Sequence, residues 1–306
     1  EDDKKGAVEE SSFHNIRITS RTLKPGLHVG KGTFPIYRKI QHFQGANHAF
    51  KASPAELKAV RMKNLTRHMG VGNEDCIGFM NSAIIVAAGK GTRMGPNIDK
   101  LFLEAAGRPV IAHTWANFEA CQAINEIVLV VREGMQPGFE EMAERYGFRK
   151  PVRFAIGGAE RQDSVWNGLD ALGSGTVLVA IQDGARPCGA SQLIEATLEA
   201  ARRTGAAVAA QRVTDTIKES RDGRTICGHL DRSRLWAVQT PQTFRLEVIR
   251  KALGRVREKG LAVTDDTAAC ELIGQAVEIV ESTVPNPKVT VPSDLPFIEL
   301  LLARGS

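Results

Sequence analysis

The sequence has few of the features that mark secreted, membrane-bound or metal-cluster proteins. Its five cysteines, Cys76, Cys121, Cys188, Cys227 and Cys270, are scattered, odd in number and show no C-x-x-C spacing. This argues against a disulfide framework or a zinc site and for a reducing compartment. No uninterrupted apolar run approaches the length of a membrane span, and the N-terminus lacks the basic start and apolar stretch of a secretory signal. We therefore expect a cytoplasmic protein without membrane contact.

An excess of basic residues is also missing from most of the chain. The formal net charge is +5. Residues 1–79 hold 13 Lys and Arg against 8 Asp and Glu, whereas residues 80–306 hold 27 of each. A nucleic-acid-binding domain needs a basic face, and the charge balance of the main part of the chain gives no support for one. We therefore expect no nucleic-acid partner.

The sequence pattern changes near Met80. Residues 1–79 show no regular alternation of strands and helices, and their one clear local signal is a capping box, SPAE, that predicts a short helix over about 54–68. We expect residues 1–79 to be a largely irregular extension and residues 80–306 to form the main domain.

From Met80 onward, apolar runs typical of strands alternate with amphipathic stretches typical of helices. Predicted strands cover residues 83–88, 126–131, 152–156, 176–181, 206–211 and 276–280. Predicted helices cover residues 109–121, 137–146, 162–172, 190–204, 245–259 and 266–273. This pattern favours an α/β fold with a doubly wound, mostly parallel sheet covered on both faces. Ligands of such sheets bind beyond the carboxyl ends of the strands. Residues 214–236 break the alternation with short extended pieces around a turn, RDGR, and predict a projecting hairpin arm.

The first predicted strand runs into a glycine turn, AAGKGTRMG. Gly89 and Gly91 allow a tight turn in which main-chain N–H groups face a phosphate. The turn lacks the GKS or GKT ending of a Walker loop and the third glycine of a dinucleotide fingerprint. Arg93 and Lys100 supply positive charge, which favours a phosphate-binding turn over an ordinary strand-to-helix turn with exposed cations.

Two more segments follow predicted strands. In QDGARP, Asp183 can hold a divalent metal or a substrate hydroxyl, and Arg186 can bind a phosphate through two parallel hydrogen bonds. The alternative is an Asp that caps the next turn with the Arg as its surface partner. In GGAERQDSV, two glycines permit the close approach of a flat base, although Asp163 or Ser164 can equally cap the next helix.

Together, the motifs of residues 80–306 resemble those of one enzyme family. AAGKGTRMG, Lys100, GGAERQDSV, DGARP, DRSRLW, QTPQTF, TDDTAACE and NPKVTVPSDL occur in the order and spacing of 2-C-methyl-D-erythritol 4-phosphate cytidylyltransferases. Eight ordered motifs are far more specific than any one of them. The resemblance implies a Rossmann-like sheet of the nucleotide-diphospho-sugar transferase type. It also implies conversion of CTP and the polyol phosphate to 4-diphosphocytidyl-2-C-methyl-D-erythritol and pyrophosphate in the non-mevalonate isoprenoid pathway.

The resemblance carries roles onto individual positions. Catalytic roles are implied for Arg93, Lys100, Arg232 and Lys288, although Asp99 precedes Lys100 where the family usually has Pro. Nucleotide binding is implied for Ala87, Ala88, Gly89, Gly91, Gly158 and Ser164. Binding of the polyol phosphate is implied for Asp183, Arg186, Thr216 and Thr240.

A metal ion and a second subunit are implied in the same way. The family uses Mg²⁺ or another divalent cation, for which Asp183 is the candidate ligand. Thr216 and Arg232 lie on the arm, which in the family crosses into a neighbouring subunit of a homodimer and completes its acceptor site. Bacterial members begin just before AIIVAAG, so we expect Met80 to be the natural start and residues 1–79 to be upstream or added sequence. Acidic residues at the front argue against a plastid transit peptide.

Three alternatives remain. A sister enzyme that makes CDP-ribitol from ribitol 5-phosphate shares the glycine turn, DG-x-RP and TPQ, but TDDTAACE and DRSRLW look more like the methylerythritol enzymes. Uridylyl- and guanylyltransferases that act on sugar phosphates resemble the chain mainly at the glycine turn. A non-catalytic nucleotide-binding protein is a third reading, against which the retained set of Arg93, Lys100, Asp183 and Lys288 argues.

Overall fold

The computed structural model describes residues 80–89, 91 and 99–304. Arg93 and the helix predicted over 54–68 lie outside these ranges. None of the helices within the ranges has the length and apolar content needed to traverse a bilayer.

A seven-stranded mixed sheet forms the centre of the described domain. Its strands are β1 (Met80–Val86), β4 (Glu126–Val131), β5 (Val152–Ile156), β6 (Thr176–Asp183), β7 (Ala206–Arg212), β10 (Trp236–Arg245) and β11 (Glu278–Glu281). They lie in the order β11-β7-β10-β6-β1-β4-β5. All pairings are parallel except those of β10, which runs antiparallel to β6 and β7. The predicted α/β fold with a mostly parallel sheet is confirmed.

Helices cover both faces of this sheet. They are α1 (Val110–Ala120), α2 (Gln136–Tyr146), α3 (Arg161–Asp170), α4 (Ser191–Thr204), α5 (Leu246–Glu258), α6 (Asp266–Glu271) and α7 (Leu295–Arg304). Strand β4 shows why two helix layers are needed, because all of its residues are buried. Ile127 and Leu129 pack with α1 and α2 on one face, whereas Val128 and Val130 pack with α3 and α5 on the other. Successive side chains of a strand point to opposite faces, so both faces of β4 require a cover.

Strand β10 was not predicted, because its sequence contains Pro241 and lacks a continuous apolar run. Proline cannot donate a main-chain hydrogen bond and is usually confined to edge strands or irregular positions. Here the pairing of β10 with β7 shifts register between Val238 and Gln242, which accommodates Pro241 inside a central strand.

Two short antiparallel pairs are the remaining strands within the described ranges. β2 (Glu104–Ala105) pairs with β3 (Arg108–Pro109), and β8 (Lys218–Glu219) pairs with β9 (Gly228–His229). The β8–β9 pair is a sheet separate from the central one, and most residues of the 214–236 segment around it are exposed. The hairpin predicted for this segment is therefore present.

Candidate active site

A cavity of about 490 Å³ lies at the carboxyl ends of β1, β5 and β6. Its charged lining residues are Lys100, Glu160, Arg161, Asp183 and Lys288. The other lining residues are small or apolar and include Ala88, Gly89, Gly158, Ser164 and Gly184. This is the edge of the sheet at which the strand pattern placed the ligand.

Asp183 ends β6 and is surrounded by cationic side chains. Lys288 Nζ lies 2.7 Å from Asp183 Oδ2, and Arg161 Nε donates to Asp183 Oδ1 at 3.2 Å. Burial alone would raise the pKa of Asp183, but the attraction of Arg161 and Lys288 outweighs it and holds the pKa well below its usual range. The carboxylate is therefore ionised and fixes two positive side chains at the floor of the cavity.

Arg161 joins this cluster to a second carboxylate, Asp266. Arg161 Nη1 donates to Asp266 Oδ2 at 2.8 Å, and Asp266 has no exposed surface. Burial raises the pKa of Asp266, although the charge of Arg161 opposes the shift. Burial also disfavours the charged form of Arg161, but Asp266 and Asp183 overcome this and raise its pKa above the ordinary value. Arg161 therefore stays charged between two carboxylates.

Neither Arg161 nor Asp266 received a role from the sequence, although both lie in quoted motifs, GGAERQDSV and TDDTAACE. Arg161 carried one usable signal, because it follows a predicted strand at the edge where ligands bind. Asp266 carried none, because an acidic residue in the first turn of a helix ordinarily stabilises that helix.

Lys100 and Lys288 come from distant parts of the chain and line the same cavity. Lys100 Nζ donates to the carbonyl oxygen of Val289, at a distance of 2.9 Å. The N–H of Val289 in turn donates to the carbonyl of Ala185 at 2.8 Å. These contacts bring the segment that carries Lys288 against the loop after β6, so that both lysines stand at one edge of the sheet.

Arg186 and Thr240 support Asp183 and are not among the residues that line the cavity. Arg186 Nη1 donates to the carbonyl of Asn286 at 2.7 Å, and its Nε lies 3.8 Å from Asp183 Oδ2, too far for a hydrogen bond. Burial lowers the pKa of Arg186, against the pull of Asp183. Thr240 Oγ1 accepts from the Asp183 N–H at 3.1 Å. Both side chains thus brace the end of β6.

The glycine pair after β5 is explained by packing within the chain. A Cβ on Gly157 would lie 2.2 Å from Ala88 Cβ, and a Cβ on Gly158 would lie 2.3 Å from Asp163 Cβ. Either approach is too close for real side chains, so glycine is required at both positions. The sequence pattern predicts that these glycines permit the close approach of a base. In the structure they admit neighbouring protein atoms.

Ser164 and Asp163 hold the loop between β5 and α3. Ser164 Oγ accepts from the Gly158 N–H at 3.0 Å and donates to the Glu160 carbonyl at 3.2 Å. Asp163 Oδ2 accepts from the Glu160 N–H at 3.1 Å, so Asp163 caps α3, which is the alternative that the sequence left open. At the end of β1, the Ala87 N–H is used in a bond to the Val130 carbonyl at 2.7 Å.

Six predicted site residues within the described ranges do not line this cavity: Ala87, Gly91, Arg186, Thr216, Arg232 and Thr240. Thr216 and Arg232 are exposed on the arm, and Arg232 Nη1 donates to the carbonyl of Thr214. Neither lines the cavity. Arg93 lies outside the described residues.

Comparisons with known proteins agree with this architecture. Residues 81–304 match the family model described as IspD, 2-C-methyl-D-erythritol 4-phosphate cytidylyltransferase. A curated enzyme of that name from Geobacillus thermodenitrificans is 46% identical over 221 residues, which are 72% of this chain and 96% of the relative. The same name is carried by a relative from Alkaliphilus oremlandii, 41% identical over 72% of this chain and 94% of its own length.

Solved structures give the same family. The 4-diphosphocytidyl-2C-methyl-D-erythritol synthase of Anaerococcus prevotii superposes with a TM-score of 0.66 at 30% identity, over 76% of this chain and 100% of its own. The 2-C-methyl-D-erythritol 4-phosphate cytidylyltransferase of Thermus thermophilus has a TM-score of 0.61 at 32% identity, over 74% and 100%. The chain therefore belongs to the IspD family of 2-C-methyl-D-erythritol 4-phosphate cytidylyltransferases.

Proposed function

We propose that the cavity at the sheet edge carries out the reaction of this family. In that reaction CTP and 2-C-methyl-D-erythritol 4-phosphate give 4-diphosphocytidyl-2-C-methyl-D-erythritol and pyrophosphate. The observation that carries the proposal is the convergence of Lys100, Lys288 and Arg161 on one cavity that is also lined by the start of the glycine turn and by the ionised Asp183.

The chemistry explains why cations matter more than a base. An oxygen of the acceptor phosphate attacks the α-phosphorus of CTP in line. A new P–O bond forms while the bond to the β-phosphate oxygen breaks, and the electron pair leaves with pyrophosphate. The attacking oxygen is already anionic, so no proton has to be removed from it. Two polyanions must approach each other, and preorganised positive charge lowers the energy of that approach.

We assign the two lysines to different phosphates according to their positions. Lys100 follows the glycine turn after β1, and we assign it to the triphosphate and to the charge that develops on the leaving pyrophosphate. Lys288 is held at the end of β6 by Asp183, at 2.7 Å, and we assign it to the phosphate of the acceptor. Arg161, fixed by two carboxylates, adds positive potential behind Asp183.

The residues present fit a divalent cation that is held mainly by phosphate and water. Asp183 supplies an ionised carboxylate on the cavity wall, and the described part of the chain contains no group of three His, Cys, Asp or Glu residues placed to form a closed metal site. Mg²⁺ typically keeps several waters and takes one or two carboxylates together with substrate phosphates. When bound, Mg²⁺ would neutralise phosphate charge. We propose Asp183 as its protein ligand.

The end of β1 and the loop after β5 form the nucleotide side of the cavity. Ala88, Gly89 and Gly158 expose little besides main chain there, and Ser164 fixes the loop through Gly158. We assign the cytosine to this narrow, main-chain-lined part. Hydrogen bonds from main-chain groups in fixed positions can distinguish the edge of one base from that of another.

We also propose a homodimer in which the arm of each subunit completes the acceptor site of the other. Thr216 and Arg232 are exposed on the arm, and neither reaches the cavity of its own chain. A C₂ dimer with reciprocal arm exchange would give both residues a partner site. A cytoplasmic location remains a prediction from the cysteine pattern.

The direct test is release of pyrophosphate by the full chain with CTP and Mg²⁺ and one acceptor at a time. We expect turnover with 2-C-methyl-D-erythritol 4-phosphate and at most weak turnover with ribitol 5-phosphate. Replacing CTP with UTP, GTP or ATP provides the control for base recognition. Preferred use of ribitol 5-phosphate would favour the sister activity, and nucleotide binding without any turnover would contradict the proposed site chemistry.

A further inference from the structure

Arg132 connects the residues on the two sides of the glycine turn. It follows β4 directly and therefore lies at the same edge of the sheet as the cavity. Its Nη1 donates to the carbonyl of Gly89 at 3.3 Å, and its Nη2 forms an ion pair with Asp99 Oδ2. About a quarter of each side chain is exposed, 26% for Arg132 and 23% for Asp99. One guanidinium thus bridges Gly89, which lines the cavity, and Asp99, the neighbour of Lys100.

Asp99 shapes the main chain around Lys100. Asp99 Oδ1 accepts from the N–H of Leu101 at 3.1 Å, and the Asp99 carbonyl accepts from the N–H of Phe102 at 3.0 Å. These bonds close a turn with Lys100 as its second residue. Leu101 is only 3% exposed and is part of the core. The main chain at Lys100 is therefore held between a buried side chain on one side and the ion pair with Arg132 on the other.

The restraint on the main chain at Lys100 limits the positions that the ammonium group of Lys100 can occupy. Lys100 has a flexible four-carbon side chain, so its ammonium position depends on how firmly its main chain is held. In the structure Nζ lies 2.9 Å from the carbonyl oxygen of Val289, the residue after Lys288. A catalytic cation displaced by about 1 Å can lose on the order of 10²-fold in rate.

We propose that Arg132 is a positioning residue for cytidylyl transfer. Through Asp99 it holds Lys100, and through Gly89 it holds the end of β1, so that both meet the triphosphate in one arrangement. This inference rests on the proposed role of Lys100 at the triphosphate. Neither Arg132 nor Asp99 is among the residues that line the cavity, so their effect is exerted through Lys100 and the main chain of Gly89.

The test is a double-mutant cycle with Arg132→Ala and Asp99→Asn in the full chain. The kcat, the KM for CTP and the KM for the acceptor are measured separately, together with the midpoint of thermal unfolding. Each single variant is expected to lower kcat/KM for CTP by on the order of 10²-fold, with a small change in the KM for the acceptor. Because a partly exposed ion pair contributes little to stability, the unfolding midpoint should stay close to that of the wild type. The double variant should be no worse than the more impaired single one, since both remove the same link.

Two further variants sharpen the result. Arg132→Lys keeps the charge but loses the planar fork that spans Asp99 and Gly89, so it should recover only part of the lost kcat/KM. Arg250→Ala is the matched control, because Arg250 also joins a carboxylate and a carbonyl, Asp170 Oδ1 at 2.8 Å and the Leu169 oxygen at 2.7 Å. Its kinetics should equal those of the wild type.

The inference is overturned if Arg132→Ala and Asp99→Asn behave like Arg250→Ala, or if their effects simply add in the double variant. Lys100→Ala, assayed in parallel, separates this failure from that of the proposed function. An impaired Lys100→Ala beside an unimpaired Arg132→Ala would remove only the positioning role. An unimpaired Lys100→Ala would instead remove the assignment of that lysine to the triphosphate.

Discussion

Lys288 Nζ lies 2.7 Å from Asp183 Oδ2, so a lysine from the segment after β11 is fixed at the carboxyl end of β6. The charge of Lys288 contributes to lowering the pKa of Asp183, and the resulting carboxylate holds the ammonium in place. The contact fixes the Lys288 ammonium at the wall of the cavity in which the two phosphates are proposed to meet.

Replacing Lys288 with Ala should reduce turnover far more than stability. We expect kcat to fall by ~10²–10³-fold, as for other preorganised charged contacts. Asp183 keeps Arg161 as a partner, so the thermal unfolding midpoint should change little. Pyrophosphate release and thermal unfolding measure the two effects, and Lys251→Ala on the exposed side of α5 is the control. Turnover near that of the wild type would remove Lys288 from the catalytic set.

Unlike Lys288→Ala, the variant Arg161→Met should strongly destabilise the fold. It leaves the fully buried Asp266 without its cation, and breaking a buried ion pair in this way costs about 3–5 kcal/mol. Replacing both partners, as Arg161→Met with Asp266→Leu, should be less destabilising than Arg161→Met alone, because the double variant leaves no buried carboxylate without a cation: Asp183 keeps Lys288. Chemical denaturation measures both free energies of unfolding. A double variant less stable than the single one would contradict this reasoning.

Asp183 and Asp266 should contribute to the pH dependence of stability in opposite directions. The pKa of Asp183 is lowered in the fold, so its contribution is present above the ordinary value of 3.8 and is lost as the pH falls below it toward the folded pKa. The pKa of Asp266 is raised, so its contribution is present below 3.8 and decreases as the pH rises through the folded pKa. Unfolding midpoints across the acid range should therefore fall less steeply below pH 4 for Asp183→Asn than for the wild type. For Asp266→Asn the loss on raising the pH should disappear, and unchanged profiles would contradict the assigned shifts.

Reciprocal exchange of the arms between two subunits should allow complementation between inactive variants. A dimer of Lys288→Ala and Arg232→Ala chains would contain one site with both defects and one with neither, because Arg232 would act in the partner's site. Mixing the two inactive variants under conditions of subunit exchange should restore about a quarter of wild-type turnover. If Arg232 acted within its own chain, each mixed dimer would have two defective sites, and mixing would restore nothing.

The location of the site at one edge of the sheet could be predicted from the sequence, whereas the ion pairs within the site could not. Continuous apolar runs such as that of β4 determine a buried parallel strand, and the parallel sheet then determines the edge at which ligands bind. Pairing between Arg161 and Asp266 could not be predicted, because an ion pair between distant segments leaves no local pattern. The sequence singled out Gly157 and Gly158 as a candidate part of the site. It could not show that Ala88 and Asp163 lie so close to them that only glycine fits, because this closeness depends on the three-dimensional packing. Lys288 was identified only through the family resemblance.

Whether the gathered cations bring the two phosphates together is measured by the pre-steady-state rate of pyrophosphate release by Lys100→Ala, with saturating CTP, Mg²⁺ and 2-C-methyl-D-erythritol 4-phosphate. We expect a rate ~10²–10³-fold below that of the wild type, in a protein that unfolds at an unchanged temperature. A rate close to that of the wild type would show that the cations gathered at this edge of the sheet do not bring the two phosphates together.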